Sequence, residues 1–384
     1  MSLVQLALYP SEPPVIRYSA ECSDEILTHL SQGSPVAIGV SGGKDSSALA
    51  VRTMSFLDDI AHAGPRVLIH SDLGSIEWQS SLSVCQDLAD RLGVELVTVR
   101  RKRGDLVQRW RQRWADNVRR YASLACVQLI LPWSTPQMRF CTSELKVQVI
   151  CQELVQRFPS SVIISASGIR RQESTARAKA PVSRIQSHLV RTRFGTSGYD
   201  WHPILGWTDA EVFEFLQRHN VPLHEAYTRY GSSRLSCAFC ILASRADLLA
   251  SSRCEYNQNI YRQIVELELE STFSFQAGRW LADVAPHLLS RHLREQILNV
   301  KQRALQREAA EAEIPKSLLY TAGWPTRIPS WNEAALLANV RRRVAKCAGI
   351  QISFVEPEEI VLRYQELMDL QSPRTAKQLG VVSL

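Results

Sequence analysis

No stretch of this 384-residue chain approaches the roughly 18 consecutive apolar residues that a membrane-spanning helix requires. Its start, "MSLVQLALYPSEPP", lacks the basic n-region and long apolar h-region of a secretory signal. Both absences argue against membrane and export classes and predict a cytoplasmic protein with no membrane partner. Internal repeats and low-complexity tracts are missing too, which removes solenoid and disordered-tail readings. So is an even number of cysteines. Nine cysteines are scattered along the chain, which argues against a disulfide framework in a reducing compartment and leaves metal, cluster or redox roles open.

What is present is an ordinary globular composition, 45% hydrophobic, long enough for about two domains. A net charge of +7 and a pI near 9.0 predict a polyanionic partner, a nucleotide or a nucleic acid. Residues 1–34 read as an arm and a helix in "SAECSDEILTHLSQ". Strands "VAIGV", "RVLIHSD", "ELVTVR" and "SVIISASG" then alternate with helical spacing. That alternation predicts an α/β fold with a doubly wound parallel sheet across residues 35–253, its ligand crevice at the carboxyl ends of the strands. Past about Cys254, amphipathic stretches such as "HLREQILNVKQRALQREAAEAE" and "EEIVLRYQELMDL" predict a mostly helical region over 254–384. Within it, "TAGWPTRIPSWNEAA" reads as a packing loop or a partner contact.

The stretch "VAIGVSGGKDSSALAVRTM" places two glycines, two charges and three hydroxyls between a strand and a helix. A helix start directs free N–H groups and a positive helix end at one spot, so an anion belongs there. Gly42 and Gly43 allow close backbone approach, Ser41, Ser46 and Ser47 add hydroxyl donors, and Lys44 supplies countercharge. Asp45 can orient a loop group or hold Mg²⁺ on phosphate oxygens. Neither G-x-x-x-x-G-K-[ST] nor G-x-G-x-x-G is present at this loop, which counts against γ-phosphoryl transfer and dinucleotide binding.

The form S-G-G-x-D-S resembles the PP-loop of the ATP pyrophosphatases, the adenine nucleotide alpha-hydrolase family. With "HSDLGSIEW", "RFCTSELK", "SGIRRQESTAR", "HPILGWTDAEVFEFL" and "YGSSRLSCAFC" in this order, residues 30–245 look like its phosphoadenosine phosphosulfate (PAPS) reductase branch. The resemblance implies that the loop grips the β,γ-pyrophosphate of ATP while a nucleophile attacks the α-phosphorus. It also implies that Asp72, at the end of the second strand, lies near the adenine and sugar. Gly168 ends a strand at the crevice, Arg170 and Arg177 offer planar forks for phosphate oxygens, and Glu173 can orient one of them. Trp207 reads as a core anchor, and Thr208 as a helix N-cap with Glu211 completing a capping box.

Cys237 and Cys240 form a C-x-x-C, and the resemblance brings Cys141 to the same crevice. Three thiolates suit a [4Fe–4S] cluster with Cys254 as a fourth ligand or with an open iron; a thiol or persulfide role is the alternative. Cys22, Cys85, Cys126, Cys151 and Cys347 read as packing residues. Sulfonucleotide reductases carry a nucleophilic cysteine in a C-terminal Glu-Cys-Gly segment. Here "RTAKQLGVVSL" closes the sequence with no cysteine after Cys347, which counts against sulfate reduction.

Residues 100–121, "RRKRGDLVQRWRQRWADNVRRY", interleave arginines with Trp110 and Trp114. The pattern fits an amphipathic helix with Leu106 and both tryptophans inward and an arginine face outward, suited to nucleic-acid phosphates. "NVRRRVAK" reads as a second basic patch. The combined expectation is an ATP pyrophosphatase that adenylates a phosphate oxygen so that sulfur can enter the DNA backbone. It resembles the ATP-using component of phosphorothioation systems of the Dnd or Ssp type, with DNA, a cysteine desulfurase or other sulfur carrier, and companion modification proteins as partners. The alternatives are a PAPS or adenylylsulfate reductase, a tRNA thiolase, and a non-catalytic nucleotide-binding subunit of a defence complex.

Overall fold

The computed structural model describes residues 18–320 and 324–378. The opening "MSLVQLALYPSEPP", the first three residues of "TAGWPTRIPSWNEAA" and the last six residues of the chain lie outside that range. Two compact units interleave along the sequence. The first comprises residues up to Leu73, Glu77–Arg101 and Thr142–Ser236; the second comprises Gly74–Ile76, Lys102–Cys141 and the residues from Cys237 onward. The expected division into 1–34, 35–253 and 254–384 therefore marks stretches of sequence and not these units.

The first unit is an α/β layer structure. Its strands are β1 (Val36–Val40), β2 (Arg66–Asp72), β3 (Glu95–Arg100), β4 (Val162–Ala166), β5 (Ser183–Ile185) and β6 (Ser197–Trp201), in the order β3-β2-β1-β4-β6-β5. Every pairing is parallel except β5 with β6. Alternate residues of β1 explain the two covered faces. Val36, Ile38 and Val40 join one apolar cluster with Ile26 and Leu30 of α1 (Asp24–Ser31), Leu49 of α2 (Lys44–Asp59), Leu88 of α3 (Ser81–Leu92) and Trp207. Ala37 faces the other way, into a cluster with Val67, Val97, Ile163 and Leu154.

Sequence order reverses at β1, with β2 and β3 on one side and β4 on the other. The segments after β1 and β4 thus meet where open sheets of this kind keep their ligands. The short antiparallel edge strand β5 departs from the expected parallel sheet, while β6 runs parallel to β4. "SRI" and "SGYDW" are too short and polar to carry a period-2 signal; pairing with β4 makes "SGYDW" a strand, and pairing with β6 makes "SRI" one.

The second unit is helical. It holds α4 (Leu106–Ala122), which enters α5 (Phe140–Thr142) through a long loop; a π-helical stretch, Ser143–Val147, then leads into α6 (Gln148–Arg157) of the first unit. After α7 (Thr175–Ala178), α8 (Asp209–Arg218) and α9 (Glu225–Thr228) of the first unit, the second resumes. It continues with α10 (Arg245–Arg253), α11 (Glu255–Ser271), α12 (Arg291–Ala312), α13 (Trp331–Ala348) and α14 (Pro357–Gln378). Leu106, Trp110 and Trp114 are buried as expected. Trp110 meets Trp133 and Phe275 edge-on at 5.8 and 5.9 Å between centroids. Among the described residues no helix is long and apolar enough to cross a membrane.

Candidate phosphate site at the head of the second helix

β1 delivers the chain into Ser41, Gly42 and Gly43, and α2 starts at Lys44. Gly42 has φ +74°, a left-handed conformation that glycine adopts without strain, and a Cβ there would come within 3.2 Å of the Ser81 carbonyl oxygen. Gly43 is the N-cap, and no side chain caps it. Gly43 has no side chain to accept an amide at the positive end of α2, and the Lys44 N–H there is met by the Tyr227 hydroxyl. Ser46 stabilises the turn instead. Its Oγ accepts from the Ser41 N–H at 3.1 Å and donates to the Gly43 carbonyl at 2.9 Å.

Four charges close the site. Lys44 Nζ lies 3.0 Å from both Asp45 Oδ2 and Asp209 Oδ1. Arg170 donates through Nε to Asp45 Oδ1 at 2.6 Å and through Nη2 to Asp209 Oδ1 at 2.8 Å. The two cationic side chains are each only 4% exposed. Burial alone would lower the Lys44 ammonium; the two carboxylates outweigh it and hold the group above its ordinary value.

Gly168, just past β4, lies so close to α2 that a Cβ would sit 2.9 Å from the Asp45 carbonyl oxygen. Glu173 accepts from the Arg170 N–H at 2.7 Å and pairs with Arg177. The structure thus brings Ser41 to Ser47, Gly168, Arg170 and Glu173 to the head of α2. Arg170 points at two carboxylates, Arg177 at Glu173. Asp72 lies at the end of β2, 3.5 Å from Arg100 Nε.

Sequence reading missed several contributors. Thr208 and Glu211 form the expected capping box and Trp207 is buried in the core, but Asp209 between them completes the charge network. The Tyr227 hydroxyl oxygen accepts from the N–H of Lys44 at 3.3 Å and of Leu235 at 2.9 Å. His224 Nδ1 accepts from the Ala226 N–H at 3.0 Å, so Nε2 carries the proton toward Ser80 Oγ, also 3.0 Å away; Ser80 in turn donates to Glu225. Burial lowers the His224 pKa, keeping it neutral. With its proton on Nε2, His224 cannot act as base toward Ser80, so this Ser–His pair is a clamp beside Gly42. No local pattern announces these residues, because their partners lie up to 183 positions away.

His70, in "HSDLG", is buried with Nδ1 3.0 Å from the Val40 carbonyl and Nε2 3.2 Å from Glu77 Oε2. Burial opposes the charge, yet hydrogen bonds with Cys85 and Glu77 push its pKa up to about 10. Two acceptors on two ring nitrogens describe an imidazolium, which fixes the strand end from which the glycine loop springs.

The cysteines divide differently. Burial pushes Cys151 up to about 12, and burial together with Asp24 does the same to Cys22; Cys85, Cys126 and Cys347 are buried, Cys85 with its Sγ 3.8 Å from His70 Nδ1. Cys141, Cys237 and Cys240 are half-buried and fall in the second unit. Cys254 is buried and caps α11 with its backbone. Among the described residues, no group of three or more His, Cys, Asp or Glu is placed to hold a metal ion. The expected compact set of three thiolates with Cys254 does not fit a [4Fe–4S] cluster in this arrangement. Mg²⁺ asks less, since one or two carboxylates beside phosphate oxygens suffice; the carboxylate at the loop is Asp45, whose two oxygens here accept from Arg170 and Lys44. A cavity of about 650 Å³ in the second unit is lined by Trp133, Phe273, Phe275 and Arg279, with Ile241 to Ser244 directly after the C-x-x-C.

Several known proteins are similar to parts of this chain. A protein of Escherichia phage 186, "Uncharacterized 37.8 kDa protein in gpa 5'region", is 27% identical over 243 residues, covering 55% of this chain and 68% of its own. The phosphoadenosine 5'-phosphosulfate reductase of Alkalilimnicola ehrlichii is 35% identical over 69 residues, 17% of this chain and 24% of the enzyme. Two solved structures align with a TM-score of 0.33 each. One is the PAPS reductase of Candida auris in a phosphate complex, at 15% identity over 57% of this chain and 97% of that one. The other is the U34-tRNA thiolase NcsA of Methanococcus maripaludis with its [4Fe-4S] cluster, at 14% identity over 64% and 74%. The family described as phosphoadenosine phosphosulfate reductase domain matches residues 35–243, more than half of the chain and the whole segment from β1 through the C-x-x-C, and the chain belongs to that family.

Proposed function

We propose that this protein cleaves ATP between the α- and β-phosphates and passes the adenylyl group to a phosphate oxygen of the DNA backbone, preparing that phosphorus for sulfur. The observation that carries the reading is the glycine N-cap of α2, where Gly42, Gly43 and two buried cations, Lys44 and Arg170, converge. Such a site suits a polyphosphate. In the proposed step the acceptor oxygen attacks the α-phosphorus, the bond from that phosphorus to the bridging oxygen breaks, and pyrophosphate leaves with the electron pair. Bound Mg²⁺, held by Asp45, would neutralise the charge growing on the leaving group. Lys44 and the α2 amides orient and stabilise the same oxygens.

A thiol reductant cleaves the persulfide held by a desulfurase or another carrier, releasing hydrosulfide as the reductant's thiols close to a disulfide; the hydrosulfide then attacks the activated phosphorus and expels AMP. Half-buried Cys237 and Cys240 are the candidate sulfur-handling thiols. Replacing either by Ser should stop sulfur incorporation and leave ATP cleavage intact; loss of both activities together would remove them from that role. The arginines of α4 support a nucleic-acid acceptor by charge.

α- and γ-labelled ATP provide the direct test. AMP and pyrophosphate are the expected products, and ADP with orthophosphate would overturn the proposal. A second reading, reduction of a sulfonucleotide, is favoured by the family match itself. Thioredoxin-dependent release of sulfite from PAPS or adenylylsulfate, with no turnover of ATP, would establish it instead.

A further inference from the structure

We infer that Asp209 makes the loop selective for pyrophosphate carried as a divalent-metal complex, an inference that rests on reading Ser41 to Ser47 as a polyphosphate cradle. Lys44 and Arg170 share the same two acceptors, Asp45 and Asp209, at 2.6–3.0 Å. Two cations and two carboxylates sum to zero. With Asp45 alone the group would carry one net positive charge, as an ordinary anion site does, and Asp209 is what cancels it.

The cancellation has a physical consequence because the cations are buried and the second carboxylate is not: Asp209 is 49% exposed against 4% for Lys44 and Arg170. Metal-free pyrophosphate can reach those cations only by bringing its negative charge against Asp209 and Asp45, at short range and in a partly desolvated place. A divalent cation arriving with the phosphate changes the exchange. The carboxylates trade cationic side chains for the metal, the side chains trade carboxylates for phosphate oxygens, and charge stays balanced throughout. The backbone is set for this. The Asp209 N–H donates to Gln172 Oε1 at 2.8 Å and Thr208 caps α8, so the carboxylate is presented from a fixed first turn.

The test is calorimetric titration of the intact chain with pyrophosphate, with and without Mg²⁺, on wild type, Asp209→Asn and Glu211→Gln. Asn keeps the Oδ1 acceptor and removes the charge. Wild type should bind the Mg²⁺ complex at least about tenfold more tightly than the free anion, a margin worth about 1.4 kcal/mol. In Asp209→Asn the ratio should shrink to within about threefold, chiefly through tighter binding of metal-free pyrophosphate. Glu211→Gln removes a charge from the same helical turn without touching Lys44 or Arg170 and should leave the ratio unchanged. An unchanged ratio in Asp209→Asn, an equal shrinkage in Glu211→Gln, or weaker binding of both forms in Asp209→Asn overturns the inference. Failure of wild type to bind either form would bring down the polyphosphate reading as well.

Discussion

At the scale of single residues, the loop depends on two positions that carry no reacting atom. A methyl at residue 168 has nowhere to go, because the obstruction at 2.9 Å is the backbone of Asp45 rather than a movable side chain. Gly168→Ala should cost about 1–3 kcal/mol in urea unfolding and abolish pyrophosphate binding; full affinity in a destabilised variant would show that the loop adapts. His70 makes a pH prediction. Because its folded pKa is raised to about 10, the stability that it draws from Glu77 is complete below about pH 6.5, the ordinary imidazole value. That stability is lost as pH rises through about 10. The stability gap between wild type and Glu77→Gln should therefore narrow from pH 6 to pH 10, and a gap that widens would contradict an imidazolium. Lys44, Asp45, Arg170 and Glu173 were legible as charged groups beside the loop because local pattern and charge mark them. Asp209 and Tyr227 were not: the sequence shows Asp209 only as a residue after an N-cap, and a tyrosine accepting the first amide of a helix leaves no periodic trace.

At the scale of elements, helices read well because they announce their ends. Asp105 with Gln108, Thr208 with Glu211 and Ser330 with Glu333 all form capping boxes in the structure. Burial inverted one reading. "NVRRRVAK" looked like a basic patch, yet Arg341 of α13 is fully buried and donates to the carbonyls of Tyr121, Ala122, Ser353 and Phe354. Arg342 and Arg343 pair with Glu356 and Glu313. A charge in a helix says nothing of which face the neighbouring chain will cover, and four carbonyls at two chain reversals need a donor. Arg341→Met should lower unfolding stability by about 3 kcal/mol, whereas Arg342→Ala should stay within about 0.5 kcal/mol. Comparable losses in both would refute the distinction.

At the scale of the whole molecule, the net charge of +7 is not a uniform coat, and the α4 arginines do two jobs. Arg113 donates to the Leu131 carbonyl at 3.1 Å and lies 5.0 Å from the Phe140 ring, with Arg109 on the same ring at 4.8 Å. Those two hold a loop. Arg111 is 42% exposed and only loosely paired with Glu266 at 3.8 Å, which leaves it better suited to a phosphate. Arg111→Ala should reduce the log–log salt slope of duplex DNA binding by about 1 without altering thermal stability. A binding curve insensitive to both salt and this substitution would leave the acceptor to be sought elsewhere.

The interleaving of the two compact units has a consequence for how the protein is made. Trp114 of α4 finds its aromatic partner Phe273, and Trp110, which meets Trp133 early, its second partner Phe275, only about 160 residues later in the chain. At roughly 5–20 residues per second of synthesis, α4 leaves the ribosome about 8–32 seconds before that part of its cover exists. During that interval an apolar, tryptophan-bearing face waits in the open on an arginine-rich helix. Slow decoding between α4 and α11 should lengthen the wait and lower the soluble yield, while the same delay after α11 should not. The nascent chain, before any nucleotide is bound, is where this architecture is most exposed to failure.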